Sequence, residues 1–356
     1  MRLTTLLWCV ALACGFAVAG EPARGATGAI LRTYNWSAYE FEQHPTRPIA
    51  YASLSAQDAV AVIDTNTLDV LTTIPVGDRP LGMTLSPDAS RLYVANNSTS
   101  PISVIDTMTN AVVGTLPRQF GWDVEFGTGN RLFVISGGVE QIDATTGADA
   151  GPNITSTLGL SFSGGQLEIS PDRTSLYYGG TGASPTWLYK IDVTSTTPAY
   201  GWGVETGSNG QHVVLSNDGT FVAHPSGSPY AIGLYRTSNG SLAGSLDTGP
   251  YPIDVAFSPD DKIAYASHTE NHIDVFDMTT SASLGTILGA GSANELSVSR
   301  DGRRLFASYG NPIFSPSVTR VFDVPEPGAG AAAVLIVMAA LRRRERGAAP
   351  RRRAQA

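Results

Sequence analysis

The strongest constraint on this chain is self-similarity. Aligned against itself, its middle repeats with a period near 42 residues. Such a period marks one small structural unit that buries its apolar face only by stacking on copies of itself. One recurring unit is an apolar residue, an Asp and then Thr-rich turn residues. It appears as Ile63-Asp64-Thr65-Asn66-Thr67, Ile105-Asp106-Thr107-Met108-Thr109, Ile142-Asp143-Ala144-Thr145-Thr146 and Ile191-Asp192-Val193-Thr194. It decays at Leu234-Tyr235-Arg236-Thr237 and returns at Phe276-Asp277-Met278-Thr279 and Phe322-Asp323, making seven copies. A second unit is an apolar stretch ending in Ser-Pro-Asp, at Ser86-Pro87-Asp88, Ser170-Pro171-Asp172 and Ser258-Pro259-Asp260. Worn copies stand at Ser216-Asn217-Asp218 and Ser299-Arg300-Asp301. A third follows directly, for example Arg91-Leu92-Tyr93-Val94-Ala95 and Arg304-Leu305-Phe306-Ala307.

Each unit alternates or is rich in β-branched and aromatic residues, so each reads as a strand. The links are Asp, Asn, Gly, Pro, Ser and Thr, which is turn chemistry. Four strands per unit of this length is the arithmetic of a β-propeller blade. The expected fold is all-β: a seven-bladed β-propeller of four-stranded blades over residues 29–323, after a linker at 20–28. A pair of β-sandwiches would not show the repeat.

The run Tyr93-Val94-Ala95-Asn96-Asn97, Ile102-Ser103-Val104-Ile105-Asp106-Thr107 and Val112-Val113-Gly114-Thr115-Leu116 resembles the YVTN family of propeller repeats. Pro80-Leu81-Gly82-Met83-Thr84-Leu85-Ser86-Pro87-Asp88 completes that repeat. The resemblance runs from about residue 49 to 324 and is weak between 147 and 250. The last repeat stops after residues 318–324, leaving two strands missing on the C-terminal side. Residues 29–35 read as an outer strand, and Tyr39 to Thr46 match the Ser-Pro-Asp unit in register. The last blade is therefore expected to be closed by strands from both termini, which removes open sheet edges. A monomer is expected.

The two ends read as signals. Arg2, an apolar stretch over residues 3–18 and Ala17-Val18-Ala19 describe a secretory signal peptide over residues 1–19. A membrane anchor, or a lipoprotein site at Cys14, is the alternative. Cleavage after Ala19 removes Cys9 and Cys14, the two cysteines of the chain, so no disulfide framework is expected. At the far end Val324-Pro325-Glu326-Pro327 precedes an apolar run at 328–341 and seven arginines. Fourteen residues rise only ~21 Å as a helix, short of the ~20 residues that a bilayer core needs. Residues 324–356 resemble the PEP-CTERM sorting signal of Gram-negative bacteria, with Pro325, Glu326 and Pro327 as the motif. That resemblance implies a transient inner-membrane anchor, recognition and cleavage by an exosortase, and a final place on the periplasmic side, the cell surface or outside the cell. Residues 21–327 then hold fifteen Lys and Arg against thirty Asp and Glu, a net −15 where the whole chain has −8. So acidic a body excludes a nucleic-acid binder, which needs a basic face.

Part of that acidity has an address. In propeller relatives the strand ending in Ser-Pro-Asp is innermost. Numbered back from the Ser position, the first and third residues are apolar, as in Met83 and Leu85, Val124 and Phe126, or Val255 and Phe257. These should pack between blades. The fourth residues back are Glu40, Gly82, Asp123, Gln166, His212, Asp254 and Glu295. The second residues back are Glu42, Thr84, Glu125, Glu168, Val214, Ala256 and Ser297. A period of two puts both sets on one face, toward the central channel. Carboxylates there could hold Ca²⁺ or another divalent cation, with Asp123, Asp254 and Glu295 as candidate ligands, or bind a basic group. His212 within reach of Asp254 and Asp123 is a candidate base. A solvated channel that tolerates any polar residue is the plain alternative.

A second cluster, His268-Thr269-Glu270-Asn271-His272, is expected in a loop, with His224 in the matching loop of the preceding blade. His268, Glu270 and His272 are candidate Zn²⁺ ligands, although loop residues lack a rigid spacing. Trp122 adjoins the channel position and could stack on a sugar. No Gly-x-Ser-x-Gly elbow, His-Glu-x-x-His or phosphate loop is present. The expectation is an exported binding module that meets an envelope protein or exopolysaccharide. The alternative is a metal-dependent, lactonase-like hydrolase built on the acidic ring. A quinoprotein-like redox role is opposed by the acidity.

Overall fold

The computed structural model describes residues 28–289, 291–310 and 318–324. The stretch read as a signal peptide, the Pro325-Glu326-Pro327 motif and the residues after it lie outside them. The chain opens with β1 (Ile30–Tyr34) and then builds sheets in sequence. Blade one is β2 (Phe41–Gln43), β3 (Ile49–Leu54), β4 (Ala59–Asp64) and β5 (Val70–Pro75). Blade two is β6 (Pro80–Leu85), β7 (Arg91–Asn96), β8 (Ile102–Asp106) and β9 (Ala111–Leu116). Blade three is β10 (Asp123–Phe126), β11 (Arg131–Ile135) and β12 (Val139–Asp143), followed by the helix α1 (Ile154–Leu158). Blade four is β13 (Gln166–Ile169), β14 (Ser175–Gly179), β15 (Thr186–Asp192) and β16 (Ala199–Gly210). Blade five is β17 (Val214–Leu215), β18 (Phe221–Ser228), β19 (Tyr230–Arg236) and β20 (Leu242–Leu246). Blade six is β21 (Pro252–Phe257), β22 (Ile263–His268), β23 (His272–Asp277) and β24 (Ala282–Leu288). Blade seven is β25 (Ala293–Val298), β26 (Arg304–Tyr309), β27 (Val318–Asp323) and, outermost, β1. The first strands of successive blades touch in order, and β25 touches β2, so the ring of seven closes.

The repeated residues explain why each blade forms. Ser86 Oγ donates to Asp88 Oδ1 at 2.6 Å and accepts from the Arg91 N–H at 3.0 Å, clasping the turn between inner and second strands. The same clasp recurs at Ser170, Ser216, Ser258 and Ser299. The Asp of the Asp-Thr unit accepts two backbone N–H groups ahead of it, as Asp64 does from Asn66 and Thr67, and Asp106 from Met108 and Thr109. These side chains satisfy turn amides that no ladder reaches.

Blades stack through the apolar residues of the inner strands. Met83 and Leu85 pack on Tyr51, Val60 and Val62 of blade one. Val124 and Phe126 pack on Tyr93 and Ala95 of blade two. Val255 and Phe257 pack on Ala223 and Ile232 of blade five. Each such side chain contributes about 1.5–3 kcal/mol by leaving water, and the core is a set of such inter-blade layers.

The last blade draws on both ends of the chain. β1 pairs antiparallel with β27, with Ile30 opposite Phe322 and Tyr34 opposite Thr319. The N-terminal segment gives this blade one strand, not two. β25 already supplies the inner strand, so β2 is free to head blade one against β3. Phe41 and Phe306 meet across the junction with ring centroids 5.4 Å apart. Between residues 147 and 250 the pattern is worn and so are the blades. In blade three the fourth strand shrinks to an isolated bridge, Ile142 to Asp149. β16 is twelve residues long and serves two sheets, pairing with β15 and then with β18. It turns between them at Gly207, whose φ of +121° suits glycine alone and where a Cβ would lie 2.0 Å from the Ser228 carbonyl oxygen.

Candidate functional site

The fourth and second residues back from each turn do converge. Glu40, Asp123, Gln166, His212, Asp254 and Glu295 all line one central cavity of about 270 Å³. Glu42, Glu125 and Glu168 line it as well. Among the described residues, seven carboxylates therefore share the channel lining with one imidazole and with no Lys or Arg.

Most of these groups carry a second duty that sequence alone did not reveal: they accept the first free N–H of the next blade's inner strand. Glu40 accepts from Met83 at 3.0 Å, Asp123 from Leu167 at 2.7 Å and Gln166 from Val213 at 3.2 Å. Asp254 accepts from Leu296 at 2.6 Å, and Glu295 from Phe41 at 3.4 Å across the closing junction. Two blades offer no such acceptor, those of Gly82 and His212. In each case the following Asp serves its own neighbour instead: Asp123 accepts from Val124 and Asp254 from Val255, both at 2.8 Å. All seven amides are thus satisfied, as buried backbone donors require. Gly82 is part of this arrangement, because a Cβ there would lie 2.3 Å from Asp123 Oδ1. A lower tier repeats the pattern. Glu42 takes the Leu85 N–H, Glu168 takes the Leu215 N–H, and Thr84 Oγ1 takes the Phe126 N–H while donating to Glu125.

Crowding acids in a buried channel shifts their protonation. Burial, and then the Asp123 charge, pushes Glu40 well above the usual carboxylate range. Burial and then Asp254 do the same to Glu295. Burial and then the Glu168 charge raise Glu125, while burial and then Asp123 raise Glu168. Burial lifts Glu42 to about 7 and Asp123 to about 6, against the pull of their backbone hydrogen bonds. His212 is raised as well, which for a base favours the charged form. Burial lowers it, but Asp254 and then Asp123 outweigh that and favour the imidazolium. Its Nδ1 lies 3.1 Å from Asp254 Oδ1 and 3.6 Å from Glu295 Oε2. His212, Asp254 and Glu295 each offer a ligand atom within 4.8 Å of the others. Asp123 is not in that set, although its two oxygens take backbone N–H groups just as those of Asp254 do. Trp122 is 40% exposed and lines a shallow hollow with Tyr39 at the mouth, sharing Gln166 and His212 with the channel.

Only the middle of the second cluster, Thr269, Glu270 and Asn271, is loop. His268 ends β22 and His272 begins β23. Glu270 is half exposed, 3.8 Å from His272 Nδ1. Asp274, unremarked in the sequence, faces both imidazoles. His224 is elsewhere: it is buried within β18, with Nδ1 2.9 Å from Thr206 Oγ1, and burial followed by the His212 charge holds it down to about 4.

No protein-family model matches the chain. One stretch of 68 residues is 46% identical to a seven-bladed beta-propeller protein, Rv1057 of Mycobacterium tuberculosis. That match spans 18% of this chain and 17% of that protein. Solved structures align over far more of the chain. A chain of the Kuenenia stuttgartiensis hydrazine synthase has a TM-score of 0.65 at 18% identity and covers 87% of this chain and 99% of its own. The fold is a β-propeller. A chain of the mitotic checkpoint complex aligns with a TM-score of 0.68 at 14% identity, over 92% of this chain and 100% of that one. The Myceliophteria thermophila Cps50 (Swd1) beta-propeller domain aligns with a TM-score of 0.68 at 11% identity, over 83% of this chain and 99% of that one. At these identities the likeness concerns the propeller scaffold, which hosts many unrelated functions.

Proposed function

We propose that this propeller is an exported binding module whose acidic channel takes up a cation, with Ca²⁺ or another divalent ion as the class that suits hard oxygen donors. One observation carries the reading: among the described residues, seven carboxylates and one imidazole surround about 270 Å³ with no Lys or Arg in the lining. Ionised carboxylates in such a place are costly unless paired; His212 pairs with Asp254 and Glu295, and a divalent ion supplies further positive charge for the remaining acids. His212, Asp254 and Glu295 are the set that would hold it. Export rests on the residue 1–19 signal and the 324–356 tail, which imply exosortase handling and a partner in the envelope, protein or exopolysaccharide. The same three side chains serve the alternative, a metal-dependent lactonase-like hydrolase.

Calorimetry of the purified chain with Ca²⁺, Mg²⁺ and Mn²⁺ tests this. The expected result is uptake of at least one of these ions at the channel, lost in an Asp254→Asn, Glu295→Gln double variant that still melts cooperatively. No uptake at millimolar ion, or uptake unchanged in the variant, would overturn the proposal. Lactone turnover lost in that variant would replace it with the hydrolase.

A further inference from the structure

We propose that His268, His272 and Asp274 form a second metal site, on blade six, for a borderline transition ion of the Zn²⁺ class. His268 Nε2 lies 3.1 Å from His272 Nε2 and 3.2 Å from Asp274 Oδ2, and His272 Nε2 lies 3.4 Å from Asp274 Oδ1. A tetrahedral Zn²⁺ bound at its usual 2.0–2.1 Å spaces its donors about 3.3 Å apart. The two ring nitrogens stand at about that spacing from each other, and each has one Asp274 oxygen at about the same distance, so a small turn of the carboxylate completes one face of the tetrahedron. Topology sets the spacing: three residues link β22 to β23, so both histidines stand at the hairpin neck. Asp274 follows two residues on, on the same face of β23 as His272.

The neck is held independently of any ion. Thr269 donates through N–H and Oγ1 to the Pro250 carbonyl, Ser292 Oγ donates to the Thr269 carbonyl, and the Gly289 N–H donates to that of Asn271. His268 is fully buried, and its ring occupies the space that a Cβ on Gly249 would fill, 2.5 Å from Cε1 and Nδ1. Without an ion the Glu270 N–H donates to His268 Nδ1 at 3.3 Å. The ring proton then sits on Nε2 and points at Asp274. Binding moves that proton to Nδ1, frees the Nε2 lone pair for the ion, and gives up the long Glu270 bond. His272 Nδ1 faces the Glu270 carboxylate at 3.8 Å, the kind of outer partner that orients a ligating imidazole. Two imidazoles and one carboxylate favour Zn²⁺ over Ca²⁺. The fourth position opens on the side of His272, the more exposed of the two rings.

The test uses Co²⁺ as a visible probe on the full chain, with Zn²⁺ in competition. The expected result is one equivalent of Co²⁺ giving the absorption bands of tetrahedral cobalt, displaced by Zn²⁺. His272→Gln should weaken uptake about 100-fold or more, beyond the effect of losing an outer partner, and Glu295→Gln in the channel should leave it unchanged. Asp274→Asn gives the same readout if His272→Gln fails to fold. Absence of the bands, their survival in both variants, or their loss in Glu295→Gln alone would overturn the site.

Discussion

Consider the stability of the ring across pH, and what Glu42→Gln does to it. Burial raises Glu42 from 4.5 to about 7 and Asp123 from 3.8 to about 6. A carboxylate raised in the folded state holds its proton more tightly there than in the unfolded chain. Its contribution is whole below the unfolded value and is lost as pH rises through the folded one. The loss therefore falls between about pH 4 and pH 7. At about 1.4 kcal/mol per unit, Glu42 and Asp123 each give up about 3 kcal/mol. Glu40, Glu125, Glu168 and Glu295 push in the same direction. For a domain of this size the drop corresponds to a melting temperature lower by about 10 °C or more at pH 8 than at pH 5. The assay is thermal melting by circular dichroism, with chelator throughout. General repulsion in a body of net −15 acts the same way, but it is exposed and is screened in about 0.5 M salt, whereas buried groups are not. Glu42→Gln keeps an oxygen for the Leu85 N–H and removes the titration, so it should recover about 3 kcal/mol of the loss. Added Ca²⁺ should restore stability at pH 8 in the unmodified chain. A melting temperature that is flat or rising from pH 5 to 8 in chelator and high salt would refute the reasoning. So would a Glu42→Gln profile parallel to that of the unmodified chain.

Two further substitutions probe how the ring is assembled. Gly82→Ala places a Cβ 2.3 Å from Asp123 Oδ1 and 2.7 Å from its Cα; it should cost about 1–3 kcal/mol in urea unfolding, and a neutral result would show that Asp123 is not fixed there. Phe306→Ala empties the fully buried contact with Phe41 between the last and first blades; it should cost about 3–5 kcal/mol, and a cost below about 1 kcal/mol would show that closure does not depend on that layer.

What the sequence disclosed follows what repeats. The Ser-Pro-Asp and Asp-Thr units recur because each closes a local turn through its own side chains, so Ser86, Asp88 and Asp106 announce blades without any knowledge of their neighbours. Strict alternation placed Glu40, Asp123, His212 and Asp254 on the channel face for the same reason. Their backbone partners were not legible, because Leu167 and Leu296 lie a full repeat beyond the acids that accept from them. Asp274 escaped notice because a strand Asp reads as a solvent-facing residue until the hairpin, which pairs it with Ala266, lets its side chain reach His268. The sharing of β16 between two sheets lies where the repeat is worn, and there the long strand replaces the turn that would have marked a boundary.

The pairing of β1 with β27 sets a clock as well as a boundary. Ile30 finds its partner in Phe322, almost the whole described chain later. Contacts so distant in sequence are formed last and slowly, since the closure entropy of the entire loop precedes any gain from them. Until β1 arrives, the last blade keeps β27 as an uncovered edge. Whatever delays that pairing leaves the blade a row of unpaired backbone groups to offer another chain, so the last strand to arrive guards the ring against its own copies.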